Sequence, residues 1–489
     1  MDFTNYWAFD FNQYDSVWHI LINIMFILVF IIFGNAIRRL VPFLRKAHIP
    51  SALIGGVLLL CFELILTRGC GIYNVIDKRL MQIITYHALA IGFIASTLKI
   101  AKKDQKSSFL DSVKNGAITG GTYMLQAGFG ILVSLIFFWC TMSSSNAFFY
   151  DAGSLLPLGF GQGPGNALTW DLKYTEWSNE FGFNFDGNGS VGLTIASIGF
   201  IVASIVSVIY INVFKHKHQI KDQDITEERN VREFIDYDEI EDSESVDKTS
   251  IQVGLVALAY GVAVGIMALF WCIQHWTGID PKKFDLVTLA FGFNFIWGVI
   301  AATLIKLVMK GLKKGKIIKK QYINNYQMDR ISGFAFDMMI LAGVASIDIS
   351  DVKNYWLFIL IVCVVGAVVT LIYVRLMTKI CFKNFQHEAF LTNFGTLTGT
   401  ASNGMTFLRE IDPNFQTPMS NIFIVSQLPA MIFVAPLLFL LGPSAKTLNG
   451  CYIMVGVFFG LAALYTTFLI LSPKIKFKKK ETVEEPIEQ

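Results

Sequence analysis

Two short stretches concentrate the residues of this chain that could hold a small charged solute. The first is Gly161-Gln162-Gly163-Pro164-Gly165-Asn166-Ala167, with three glycines and a proline in five residues. Glycine weakens intrahelical bonding and proline removes a donor, so an ordinary lipid-facing helix is excluded here. Broken backbone at membrane depth is tolerated only inside protein or beside a water-filled cavity. A break also leaves N–H groups free at the start of the next half-helix, where an anion can bind. Gly161, Gln162, Gly163, Gly165 and Asn166 are therefore candidate substrate contacts. The plainer alternative is an extracellular loop with glycine turns.

The second stretch, Gly395 to Met405, reads Gly-Thr-Leu-Thr-Gly-Thr-Ala-Ser-Asn-Gly-Met. Its hydroxyls, and the carbonyls that glycines release, are nearly uncharged oxygen ligands of the kind that suit sodium. Thr398, Thr400 and Ser402 are the candidate sodium ligands; Thr396, Gly399, Ser402 and Asn403 are candidate substrate contacts. The alternative is small-residue helix packing, with each hydroxyl bonded back to the i−4 carbonyl.

Ionisable groups inside apolar runs are costly and often functional. Asp337 is the leading case, as a further sodium ligand, as a proton carrier, or as the partner of a nearby Lys or Arg. Glu63 falls near the outer end of its run, and His87 reads as a hydrogen-bonded helix residue. Arg409 either attracts a carboxylate or follows the bias of basic residues toward the cytoplasm. Ile49-Pro50 before Gly55-Gly56 reads as a helix start with a small-residue contact face. Gly120-Gly121 and Gln126 are read the same way, as packing. The seven cysteines show no metal spacing and are also read as packing residues. No nucleotide loop, zinc spacing or nucleophile–base pair is evident, so neither an enzyme nor a nucleic-acid partner is expected.

These stretches need elements to position them, and the composition says which. The chain has 489 residues, 54% hydrophobic and 16% charged, with mean hydropathy +0.52. Its charges cluster between apolar runs of about 20 residues, the pattern of membrane helices. The net charge of +3 excludes no partner. Spans are predicted at 17–38, 51–67, 82–99, 116–141, 190–214, 251–276, 286–309, 331–347, 354–380, 418–442 and 449–472. The reading is an all-α polytopic membrane protein with about eleven transmembrane helices. The first sixteen residues hold three Asp and no Lys or Arg, the reverse of a signal peptide's basic leader.

Lysine and arginine set the orientation. Arg39, Arg45 and Lys46, then Lys102, Lys103, Lys106 and Lys114, then Lys215 and Lys217, all fall on one side. So do the lysines of 310–330 and Lys478-Lys479-Lys480, provided that 152–171 and 388–410 dip in and return. Arg68, Lys78, Arg79, Lys282 and Lys283 are exceptions. The expectation is an inner (plasma) membrane protein with its N-terminus (1–16) outside and its tail (473–489) in the cytoplasm.

An acidic cytoplasmic linker (215–250) separates two membrane repeats, 17–214 and 251–442. A further helix occupies 443–472. Each half reads four spans, one odd segment and one span. Five spans per half would make the second repeat inverted, as in many secondary transporters. Val113-Lys114-Asn115 is echoed by Val352-Lys353-Asn354, and Ala95-Ser96 by Ala345-Ser346. The odd segments share Phe-Gly-x-x-x-Gly-x-Ala, at Phe160 and at Phe394.

With these motifs the chain resembles the bacterial sodium/glutamate symporter family over roughly residues 18–442. The likeness rests on Ile49-Pro50-x-x-x-x-Gly55-Gly56, Ile91-Gly92, Gly161 to Ala167 and Gly395 to Ser402. It implies an inverted-repeat carrier with two re-entrant loops, sodium-driven glutamate uptake and a homodimer in the lipid bilayer. Sodium would be the coupling ion, with no other cofactor. Two alternatives stay open: a proton-coupled organic-anion carrier using Asp337, and an ion channel.

Overall fold

The computed structural model describes residues 17–72, 75–100, 109–142, 147–218, 248–278, 286–318, 322–412 and 417–472. The N-terminal segment 1–16, the linker between 219 and 247 and the tail 473–489 lie outside them. The first half begins with α1 (Val17–Leu40), the short α2 (Pro42–Lys46), α3 (Ser51–Leu64), α4 (Lys78–Leu98) and α5 (Phe109–Thr141). A 3₁₀ turn (Ala152–Ser154), α6 (Leu155–Pro157) and a π turn (Leu158–Gln162) then lead to α7 (Pro164–Phe181) and α8 (Ser190–His218). The second half holds α9 (Lys248–Thr277), α10 (Leu286–Gly292), α11 (Asn294–Lys314), α12 (Asn325–Ala345) and α13 (Ile349–Cys381). It ends with α14 (Gln386–Leu397), α15 (Ala401–Ile411), α16 (Met419–Val425), α17 (Gln427–Lys446) and α18 (Leu448–Leu471). The described residues include one isolated β-bridge, between Phe148 and Asn184, and no strand.

Ten helices among the described residues are long and apolar enough to cross a bilayer. The span expected at 331–347 forms as α12 but is not among the ten. It starts earlier, at Asn325, and so takes in Asp329 and Arg330 as well as Asp337. The span expected at 286–309 is interrupted at Phe293, between α10 and α11. There the Asn294 amide donates to the carbonyl of Tyr86 on α4. The ends of the expected linker are helical, since α8 runs to His218 and α9 starts at Lys248.

The helices pack as two groups. In one, α12 lies along α4 and against α3; α11 packs on α4 and α9, and α1 on α3. In the other, α5 is central, with α13, α17 and α18 against it, and α8 packs on α7 and α13. The groups touch where α7 meets α4 and α12, and where α8 meets α12. Between apolar helices in lipid the drive to associate comes from close van der Waals contact, which small residues permit. A Cβ on Gly55 would lie 2.4 Å from the Phe30 carbonyl oxygen, and one on Gly56 would lie 2.7 Å from Val344 Cβ. This is the contact face expected of Gly55-Gly56. Gly130 of α5 and Gly153 approach more closely still.

Charged groups tie the elements together at their ends. The Asp171 carboxylate of α7 accepts from Gly192 N–H in the first turn of α8 at 2.7 Å, where the helix dipole favours negative charge. On the side carrying the basic loops, Glu410 of α15 lies 3.7 Å from His48 Nε2 and 3.8 Å from Lys215 Nζ of α8. The Arg38 charge on α1 also attracts Glu410. At the other end Lys78 bridges Asp348 at 2.8 Å and Glu63 at 3.9 Å. Cys363 and Cys451 are buried as expected of packing residues, but Cys61, Cys70 and Cys140 are exposed.

Candidate functional site

The first glycine-rich stretch breaks its helix at one residue. Gly163 takes φ +86°, a backbone region that side chains with a Cβ rarely enter. Pro164 then opens α7, where its missing N–H and fixed φ do no harm. The second stretch breaks between Leu397 and Ala401. Thr398 ends α14 with ψ −2°, Thr400 is extended, and Thr400 caps α15, its Oγ1 accepting from Asn403 N–H at 3.4 Å. Two helices therefore begin within the protein interior, at Pro164 and Ala401, each with first-turn N–H groups that lack intrahelical acceptors.

The breaks lie together. A Cβ on Gly163 would sit 4.0 Å from Thr400 Cγ2 and 3.5 Å from Met339 Cε of α12. The Thr398 carbonyl oxygen lies against Gly199 of α8, 2.6 Å from where a Cβ would stand. One helix reaches both breaks. Tyr123 of α5 donates its hydroxyl to the Gly161 carbonyl at 2.6 Å. One turn on, Gln126 donates to Thr370 Oγ1 at 2.8 Å and to the Leu397 carbonyl at 3.1 Å. Sequence reasoning reads Gln126 as packing and passes over Tyr123. A tyrosine and a glutamine at i and i+3 inside an apolar run were the available signal.

Most candidate residues gather here. Asn166 is buried and donates to Gln162 Oε1 at 2.7 Å, while its own Oδ1 has no partner. Asn403 is buried with its Nδ2 unpartnered beside Gly399. Thr398 and Thr400 are buried. The Thr398 hydroxyl donates to the Phe394 carbonyl at 2.7 Å, leaving the oxygen lone pairs to accept. Gly165 packs on Leu89 of α4, and the Thr396 hydroxyl faces Gly404 of α15. Ser402 is exposed.

Asp337 is not brought to the breaks. Met339 is the α12 residue beside Gly163, whereas Asp337 lies one turn before Leu341, which packs on Gly55 of α3. The charge it meets is that of Arg38 on α1. His87 pairs through Nδ1 with the Tyr260 hydroxyl of α9, the hydrogen bond expected of it. Glu63, Arg68, Lys78 and Asp348 line a separate cavity of about 490 Å³ between α3, α4 and the α12–α13 turn.

The shared Phe-Gly-x-x-x-Gly-x-Ala does not superpose the two breaks. Aligning Phe160 with Phe394 sets Gly163 opposite Leu397, yet the caps are Gly163 and Thr400, three residues out of step. Proline explains the offset. Pro164 forces the first helix to restart at once, whereas three non-helical residues separate α14 from α15. The breaks offer helix N-termini, which suit anionic groups, beside neutral oxygens, which suit a monovalent cation. The chain matches no model of a known protein family, and no curated protein matches it.

Proposed function

We propose that the protein is a secondary active carrier that couples sodium to the uptake of a small organic anion, with glutamate as the first substrate to test. One observation carries the reading: two helix breaks meet in the interior, beside buried amides with unpartnered atoms. The half-helix N-termini at Pro164 and Ala401 would hold substrate carboxylates. Thr398 and Thr400, with carbonyls freed at the second break, would hold sodium. A cation bound there favours an anion in the same pocket, and by linkage the anion favours the cation.

The architecture in this proposal is an inverted repeat with two re-entrant segments. Support comes from the matching element order, from α5 and α13 having the same length and packing together, and from α4 lying along α12. The group built on α5 and α13 carries both breaks and would be the moving body. The group of α1, α3, α4, α9, α11 and α12 would be the support, and a homodimer would form through it. The termini would lie outside (N) and in the cytoplasm (C) of an inner membrane.

Uptake into proteoliposomes with and without an inward sodium gradient tests the reading. Sodium should drive glutamate accumulation, and Thr398→Val should weaken that dependence while the protein inserts normally. Unchanged sodium activation in Thr398→Val would remove this hydroxyl from the site. Accumulation driven by a pH gradient without sodium, and lost in Asp337→Asn, would favour the proton-coupled alternative. Unitary conductance steps would favour a channel.

A further inference from the structure

We infer that Gln126 is a binding residue, an acceptor on the central helix α5 that takes a monovalent cation or a protonated amine beside the second break. The inference deepens the carrier reading and rests on it. The Gln126 side chain is fully buried. Its nitrogen donates to the Leu397 carbonyl, an atom that can only accept, and to Thr370 Oγ1. The amide therefore cannot be turned over, and Oε1 is fixed as an acceptor with no donor reaching it.

An acceptor left dry and unpartnered is costly, so packing alone would be better met by an apolar side chain. The surroundings point to a ligand instead. Leu397 is the last residue of α14, and Thr398, beside it, has turned its hydroxyl hydrogen away to Phe394. The first break supplies a second buried acceptor without a donor, Asn166 Oδ1. Both orphan atoms are electron-rich oxygens, which select positive charge. Position by position, the sequence echo of α5 in α13 pairs Gln126 with Val365, so the echo does not repeat this amide.

Thermal unfolding of the purified protein in sodium, lithium and potassium chloride at one ionic strength reads the site directly, because a ligand bound to the folded state raises Tm. Sodium should stabilise the wild type. In Gln126→Met the sodium concentration giving half the shift should rise about tenfold or more, equivalent to losing one ligand bond. Gln126→Glu can donate to the Leu397 carbonyl only when protonated, so its sodium response should become pH-dependent. If the cation is instead a substrate ammonium, Gln126→Met should keep the sodium shift and lose stabilisation by glutamate, but not by glutarate, which lacks the amine. A purely structural glutamine would lower Tm in both variants and leave every ligand midpoint at the wild-type value, which would overturn the inference. A wild type that responds to neither sodium nor glutamate would overturn the carrier reading itself.

Discussion

At the scale of single residues, the contacts around the first break are tight enough to make sharp demands. A Cβ on Gly161 would stand 2.0 Å from the Tyr123 ring. Gly161→Ala must therefore push the ring off its place, a strain of about 1–3 kcal/mol. Tyr123→Phe keeps the ring and loses only the hydroxyl bond to the Gly161 carbonyl, about 1 kcal/mol. Thermal unfolding in detergent should thus rank wild type above Tyr123→Phe, and Tyr123→Phe above Gly161→Ala. Unfolding of Tyr123→Phe at the wild-type temperature would mean that its hydroxyl does not hold the first break. Pro164 and the glycines around it were legible in the sequence because their backbone chemistry is local. Gln126 was not, because its meaning depends on Leu397 and Thr370, more than 240 positions away.

At the scale of elements, each break is a helix end that something else must hold. α5 and α13 each have 33 residues, about 50 Å at the usual rise, against a hydrocarbon layer of about 30 Å. Both must tilt or extend past the lipid, and α13 begins with a cap built for water. Partial burial pushes the Asp348 carboxyl up, but Lys78 and the Ser350 hydroxyl and N–H outweigh it and hold the group at about 2. A carboxylate held below its unfolded value stabilises the fold above about pH 4 and loses that contribution as pH falls toward about 2. Asp348→Asn should lower Tm at neutral pH and flatten its fall across this acid window. A slope equal to that of the wild type would separate Lys78 and Asp348 from the stability of this corner. Helix existence was legible from hydropathy almost throughout. The interruption at Phe293 was not, since what breaks α10 from α11 is a bond from Asn294 to α4, a tertiary event that leaves the local apolar pattern intact.

At the scale of the whole molecule, the proposed carrier would move one helix group against the other. If the carrier reading holds, the groups slide past each other where α7 and α8 meet α4 and α12. Cysteines at positions 48 and 410, in a background without the seven native ones, would join the groups when bridged by a short thiol-reactive linker. Bridging should abolish sodium-driven uptake, and reduction of a cleavable linker should restore it. Full uptake with the bridge in place would rule out relative motion at that corner. The grouping itself was only partly legible. Counting spans gives the halves of the chain, whereas packing sorts helices across both halves into each body. α18, outside the repeat in sequence, joins the body that holds the breaks, with Phe459 against Gly128 of α5.

The junction at Glu410 has a consequence for such a journey. His48 and Arg38 belong to the supporting group, but Lys215, on α8, belongs to the same body as Glu410. Were the bodies to part, as the proposed carrier requires, the acid would leave two companions behind and take the third along. It would keep Lys215, 3.8 Å away, as its cationic neighbour. In the proposed carrier a lysine tethered to the traveller would ease its departure, and Lys215→Met would slow uptake most in the step that separates the two bodies.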